Sequence, residues 1–117
     1  MVVRKLAHRL GYRFRLHRKD LAGVPDLVFP SRRAIIFVHG CFWHQHPDPS
    51  CKDARIPKSN TGYWLPKLAR NQVRDVEHLA ALSSLGWRIL VIWECQTKNE
   101  EALQKTLENF LDPENPK

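Results

Sequence analysis

Residues 39–46 read HGCFWHQH, placing three histidines, one cysteine and two bulky aromatic rings directly after the apolar run AIIFV. Imidazole carries protons near neutral pH and ligates metals, and thiolate is a metal ligand or nucleophile. A core seldom needs these groups together, so the stretch is a candidate site. The chain has three cysteines, Cys41, Cys51 and Cys95. An odd number, spread along a chain without a secretory signal, argues against a disulfide framework. Three cysteines and one histidine do complete a tetrahedral zinc set, and His46 has four residues between it and each of Cys41 and Cys51. The expected zinc ligands are Cys41, His46, Cys51 and Cys95. On spacing alone, three buried unligated thiols remain the alternative.

A second candidate is Asp26, which follows Pro25 at the head of the apolar run LVF. If the chain turns back near Arg32, residue 26 lies roughly across from residue 38, so its carboxyl reaches the end of the strand that delivers His39. A carboxylate and a backbone carbonyl on neighbouring strands suit a hard cation such as Mg²⁺. A turn-capping aspartate is the other reading of a PD pair. His44 and His46, two positions apart, share a face in extended chain and could form a metal-binding pair, but that would leave the cysteines without a partner.

These groups need elements to carry them. Val3, Leu6 and Leu10 follow helical spacing, with Gly11 placed to end the helix. Tyr12, Phe14 and Leu16 alternate with Arg13, Arg15 and His17, which predicts a strand with one apolar and one basic face. PDLVF and AIIFV form a β-hairpin with Pro30 and Ser31 at its tip. Residues 47–60, rich in proline and polar groups, form a long loop. From about Gly62 to Leu85, Leu65, Leu68, Val73, Val76, Leu79 and Leu82 fit a helix with Pro66 in its first turn and Gly86 past its end. WRILVIW reads as a strand covered on both faces. Thr97 and Glu100 have capping-box spacing before a last helix ending near Leu111.

The order α-β-β-β-α-β-α predicts an α/β mixed sheet flanked by helices, one domain over residues 1–111 with a frayed tail at 112–117. Strand 34–38 would connect to strand 87–92 by a parallel crossover, right-handed by default. Cys41 and Cys95 would then both lie beyond the C-terminal ends of neighbouring strands, where one structural zinc could staple the loop to the sheet.

The 117 residues, 43% of them apolar, suit one modest core, and no run reaches the length of a membrane span. The expectation is a soluble cytoplasmic protein. Its formal charge is +7. Residues 1–19 carry seven basic side chains and no acid, while residues 94–117 hold six acids against three lysines. A basic body is the footprint of a polyanion binder, since each neutralised phosphate releases counterions; the alternative is a charged face that only keeps the protein soluble.

The segments GVPDLVFPSRRAIIFVHGCFWHQH, PKSNTGYW, ARNQVRD and LGWRILVIWEC together resemble the very-short-patch repair DNA mismatch endonucleases, the Vsr family. The resemblance runs over nearly the whole chain and implies a restriction-endonuclease-like fold of the PD-(D/E)XK class. It implies nicking of duplex DNA beside a thymine mispaired with guanine. It makes Asp26 a Mg²⁺ ligand helped by the Val38 carbonyl, sets His39 where the parent nuclease class keeps a lysine, makes His44 the base that activates water, and has Asp75 orient His44. It makes Phe42, Trp43 and Trp64 an aromatic wedge at the mismatch, a step cheaper to unstack than a matched one. Core packing is the other reading for Phe42, and loop packing for Trp64. Arg13 and Arg15 are expected to contact phosphates. Trp87 and Trp93 are assigned to the core, and His8, His17 and His78 to solvated surface, where the first two could also touch a phosphate.

The resemblance further implies a bacterial, nucleoid-associated monomer that meets mismatch-repair proteins. The family's first-helix glutamate falls immediately before Met1, and its N-terminal arm has no counterpart. The alternative expectation is therefore a zinc-stapled DNA-binding domain with weak or no catalysis.

Overall fold

Helix α1, Val2–Arg9, buries Val3, Leu6 and Ala7 along one side and leaves its charges in water. Gly11, at φ +89°, then reverses the chain in a conformation that only glycine adopts cheaply. The computed structural model describes residues 2–113. Among the described residues four strands follow one another across one mixed sheet: β1 Arg15–Leu16, β2 Leu27–Phe29, β3 Ala34–His39 and β4 Arg88–Trp93. β1 and β3 run antiparallel to β2, and β4 runs parallel to β3. The parallel pairing requires a crossover, which helix α2, Thr61–Ser84, provides. Helix α3, Glu100–Leu111, closes the fold.

Strand alternation divides the core into two layers. Leu27, Phe29, Ala34 and Ile36 face α1 and α3, where they meet Leu6, Leu103, Leu107 and Leu111. Val28, Ile35 and Phe37 face the other way, toward Leu82 of α2. His39 is the next position on that second face, and this is how a polar ring comes to be buried at the end of an apolar strand.

Several sequence expectations change. The first strand spans only Arg15–Leu16; Tyr12 and Phe14 pack on the core beside it, whereas Leu16 is exposed. The hairpin closes through a 3₁₀ turn at Pro30–Arg32 with Arg33 left-handed at φ +52°, so Leu27 pairs Ile36 and the register differs by one residue from that expected. α2 begins at Thr61, which puts Pro66 beyond the first turn. Leu65, Val73 and Val76 do not face the core; Val76 is 66% exposed. The reason is angular, since Leu68, Asp75, Leu79 and Leu82 form one narrow stripe and the other three positions fall outside it.

β4 is an edge strand, half-buried save for Ile92, instead of one covered on both faces. Thr97 does not cap α3: Asn99 Oδ1 accepts from the Ala102 N–H at 3.1 Å, and Thr97 donates to the Glu94 carbonyl within a 3₁₀ turn at Glu94–Lys98. Asp112, expected in the tail, is held by Tyr12 Oη at 2.7 Å and by Arg32 Nη2 at 3.2 Å. Residues 114–117 of that expected tail lie outside the described residues. No helix among the described residues is long and apolar enough to cross a membrane.

Candidate active site and metal cluster

β2 and β3 deliver the first half of the site. Asp26 stands immediately before β2 with Oδ2 accepting from the Val38 N–H at 2.7 Å, which ties the head of one strand to the end of the next. α2 delivers the other half, because Asp75 shares the stripe that Leu68, Leu79 and Leu82 turn toward the sheet. Asp26, Val38, His39, His44 and Asp75 line one cleft of about 220 Å³, together with Gly23, Val24 and His78. Gly23 is required there: its φ is +75°, and a Cβ would come within 3.0 Å of His78 Nδ1. His78, expected in solvent, is half-buried in this wall.

Inside the cleft, His44 Nδ1 lies 2.6 Å from Asp75 Oδ2. A carboxylate only accepts, so Nδ1 carries a proton, and in the neutral ring Nε2 keeps a lone pair. His39 stacks on His44 with ring centroids 3.9 Å apart and planes within 7° of parallel. Burial, and then the nearby charge of His44 when protonated, hold His39 below the usual imidazole pKa range. His39, His44 and Asp75 have potential ligand atoms within 4.8 Å of one another. Parallel stacked rings, however, aim their in-plane lone pairs side by side, whereas the ligands of one ion must converge on it.

The second cluster lies beyond the C-terminal ends of β3 and β4. Ligand atoms of Cys41, His46, Cys51 and Cys95 all fall within 4.8 Å of one another. A tetrahedral zinc with bonds of about 2.3 Å to sulfur needs ligands separated by about 3.8 Å, so the donor set fits. Thiolates this close together and sheltered from water would destabilise one another. Burial and the neighbouring Cys41 and Cys51 push the Cys95 thiol up to about 12, a penalty that a cation at their centre would reverse. His46 therefore sits with the cysteines and His44 with Asp75, and the two do not form a pair on one ion.

Local hydrogen bonds shape the loop that carries both histidines. The His44 N–H donates to the Gly40 carbonyl at 3.1 Å and the His46 N–H to the Cys41 carbonyl at 2.9 Å, forming a tight turn in which Gln45 is left-handed at φ +51°. Gln45 Nε2 donates to the Phe42 carbonyl at 2.7 Å and the Ala54 carbonyl at 3.1 Å, stitching this turn to the Cys51 segment. Trp93 joins the two clusters. Its ring stacks on His46 at 4.5 Å and meets His39 edge-on at 5.3 Å. Parallel pairing sets Trp93 beside His39, a neighbour relation invisible in a core assignment made from one strand alone.

Phe42, Trp43 and Trp64 gather on the outside of the cleft with centroids 5.1–5.9 Å apart. Trp43 remains 47% exposed. Tyr63 adds a fourth ring at 4.8 Å from Trp64, and Lys67 Nζ stands 5.5 Å from the rings of both Trp43 and Tyr63. Sequence reasoning missed Tyr63 and Lys67, although the YWLPK spacing puts Lys67 one helical turn past Tyr63. Arg13 and Arg15 are exposed and line a groove with His8, Tyr12, Phe14, Pro30 and Ser31. Trp87 is half-buried beneath the Arg33 guanidinium, 4.6 Å from its ring.

Comparison with known proteins adds a family signal to this geometry. Residues 1–52 match the family model described as DNA mismatch endonuclease Vsr. Over 111 residues the chain is 54% identical to the type II nicking enzyme V.XorIIP of Xanthomonas oryzae pv. oryzae, spanning 95% of this chain and 79% of that protein. It is 37% identical to the type II nicking enzyme V.NmeAIP of Neisseria meningitidis, again over 95% of this chain and 77% of the relative. It is also 39% identical to the DNA mismatch endonuclease Vsr of Escherichia coli, over 86% of this chain and 66% of that protein.

Proposed function

The chain belongs to the family of the DNA mismatch endonuclease Vsr, and from that membership we propose a DNA endonuclease that nicks one strand of a duplex beside the T of a T·G mismatch. The observation that carries the reading is the shared cleft: Asp26 and the His44–Asp75 pair open onto one space. The mixed sheet with helices on both faces supports a restriction-endonuclease-like fold.

In this proposal Asp26 and the Val38 carbonyl hold Mg²⁺, whose chemistry there is to neutralise charge developing on the scissile phosphate. One carboxylate and one carbonyl are a hard oxygen set, and magnesium commonly completes such a set with water and phosphate oxygens. His44 takes the proton of the attacking water on Nε2, since Nδ1–H is committed to Asp75. Asp75 fixes that tautomer and steadies the imidazolium once the proton has arrived. His39, kept neutral by burial, packs its face on His44 and limits that ring's rotation. Cys41, His46, Cys51 and Cys95 hold a structural zinc that pins the loop carrying His44. Phe42, Trp43 and Trp64 insert at the mismatch, where unstacking costs least, and Arg13 and Arg15 neutralise backbone phosphates.

Incubation with Mg²⁺ and a T·G-mismatched duplex labelled on each strand tests the reading. The expected result is a single nick on the T strand, absent from a matched duplex and from Asp26→Ala, with duplex binding kept in that variant. No scission by the wild type, or equal scission by Asp26→Ala, overturns it. Binding without scission would leave a zinc-stapled DNA-binding domain.

A further inference from the structure

We propose that His17 is a positioning residue for the Asp26 carboxylate, holding its outer oxygen in the direction of the cleft. The inference rests on reading Asp26 as the ligand of a divalent cation.

Three observations meet at this residue. Arg15 pairs Val28 and Leu16 pairs Leu27, so the next step of the same antiparallel register sets His17 opposite Asp26. The side chains follow the register: His17 Nε2 lies 3.6 Å from Asp26 Oδ1. His17 also holds a left-handed backbone at φ +46°, which histidine adopts more readily than most side-chain-bearing residues but which remains uncommon. Such strain persists where surrounding structure enforces it, and it gathers at functional sites.

The two oxygens of Asp26 are thereby treated differently. Oδ2 is bound by the Val38 N–H at 2.7 Å and cannot turn outward without losing that bond. Oδ1 is the oxygen left for a cation, and His17 is its lateral neighbour. At 3.6 Å the contact is longer than a direct hydrogen bond. His17 would therefore act from the outer sphere, within reach of Oδ1 and of the water shell that a hard cation would retain. Magnesium demands near-ideal octahedral geometry, so a carboxylate held through Oδ2 and flanked at Oδ1 before the ion arrives binds it better than one free to rotate. The His17 ring is 57% exposed, which leaves room for phosphate and water beside it.

Binding of Mn²⁺, as a surrogate for Mg²⁺, to the zinc-loaded protein without DNA is the direct test, read by calorimetry or by the paramagnetic resonance of free Mn²⁺. Asparagine tolerates the left-handed backbone but is too short to reach Asp26, whereas glutamine restores a donor at the end of a longer side chain. His17→Asn is expected to weaken Mn²⁺ binding by about tenfold or more, the usual effect of removing an outer-sphere partner. His17→Gln should fall between His17→Asn and the wild type. The nicking deficit of His17→Asn should shrink as Mg²⁺ is raised, and thermal unfolding and metal-free duplex affinity should not change. Wild-type Mn²⁺ affinity in His17→Asn overturns the proposal, as does a loss of metal-free duplex binding with Mn²⁺ affinity intact, which would make His17 a phosphate contact. If Asp26→Ala binds Mn²⁺ as tightly as the wild type, the assignment of Asp26 as ligand fails first, and the proposal with it.

Discussion

Proton chemistry in the cleft belongs to single residues. His44 has one nitrogen bound to Asp75 at 2.6 Å and, in the neutral ring, the other able to accept, so its replacement removes the proposed base while the aromatic cluster outside is left in place. We expect His44→Ala to slow single-turnover nicking by about 10²–10⁴-fold with duplex affinity retained. Asp75→Asn should give a smaller loss, because the amide can still hold the ring but does not stabilise its cation. Tyr12 offers a titration away from the cleft. Burial and the hydrogen bond to Asp112 push its pKa up to about 12. Its folded value is therefore raised above the ordinary tyrosine value of about 10, and the stabilisation is complete below that pH and lost as pH rises toward 12. Unfolding stability of the wild type should fall over this alkaline window, and Tyr12→Phe should flatten the decline. Residue identities announced the site types, but the His44–Asp75 partnership spans 31 positions and no local periodicity reports it.

Elements decide which residues are brought together. Cys41 follows β3 and Cys95 follows β4, so the parallel pairing that aligns His39 with Trp93 also brings the two thiols to one end of the sheet. The four-ligand cluster should bind one zinc per chain, measured as metal content after gel filtration. Chelation, or Cys95→Ser, should lower the unfolding midpoint and release the 40–55 loop to proteolysis. At the opening of α3 the observed cap is Asn99, one position before the glutamate expected to complete a box with Thr97. Asn99→Ala should cost about 1 kcal/mol in chemical denaturation, and Thr97→Ala less, since the Thr97 hydroxyl serves only the turn before the helix. Both ends of this helix were legible in the sequence to within a residue or two. The cap was not, because two polar residues close in sequence offered the same chemistry and only backbone geometry chose between them.

For the molecule as a whole, charge is sorted in space more clearly than along the chain. Acids near the C-terminus pair with bases from elsewhere: Glu100 with Arg9 of α1, and Asp112 with Arg32 of the hairpin turn. Arg13 and Arg15 lie exposed along the groove beside Pro30 and Ser31. Removing both charges with Arg13→Gln and Arg15→Gln should lower the salt slope of duplex binding by about one unit for each phosphate no longer neutralised. An unchanged slope would take them out of the interface. Helix spacing, strand alternation and the donor types of the cysteine and histidine positions are local properties, which is why the sequence alone determined the order of elements, the mixed sheet and the membership of the cysteine cluster. Only tertiary structure decided that His17 lies across from Asp26, that Trp93 stands between two sets of histidines, and that half of the α2 apolar positions face solvent. Those relations depend on strand register and on how far a helix is rotated over a sheet, and a shift of one residue in the hairpin turn is enough to give a carboxylate a different neighbour.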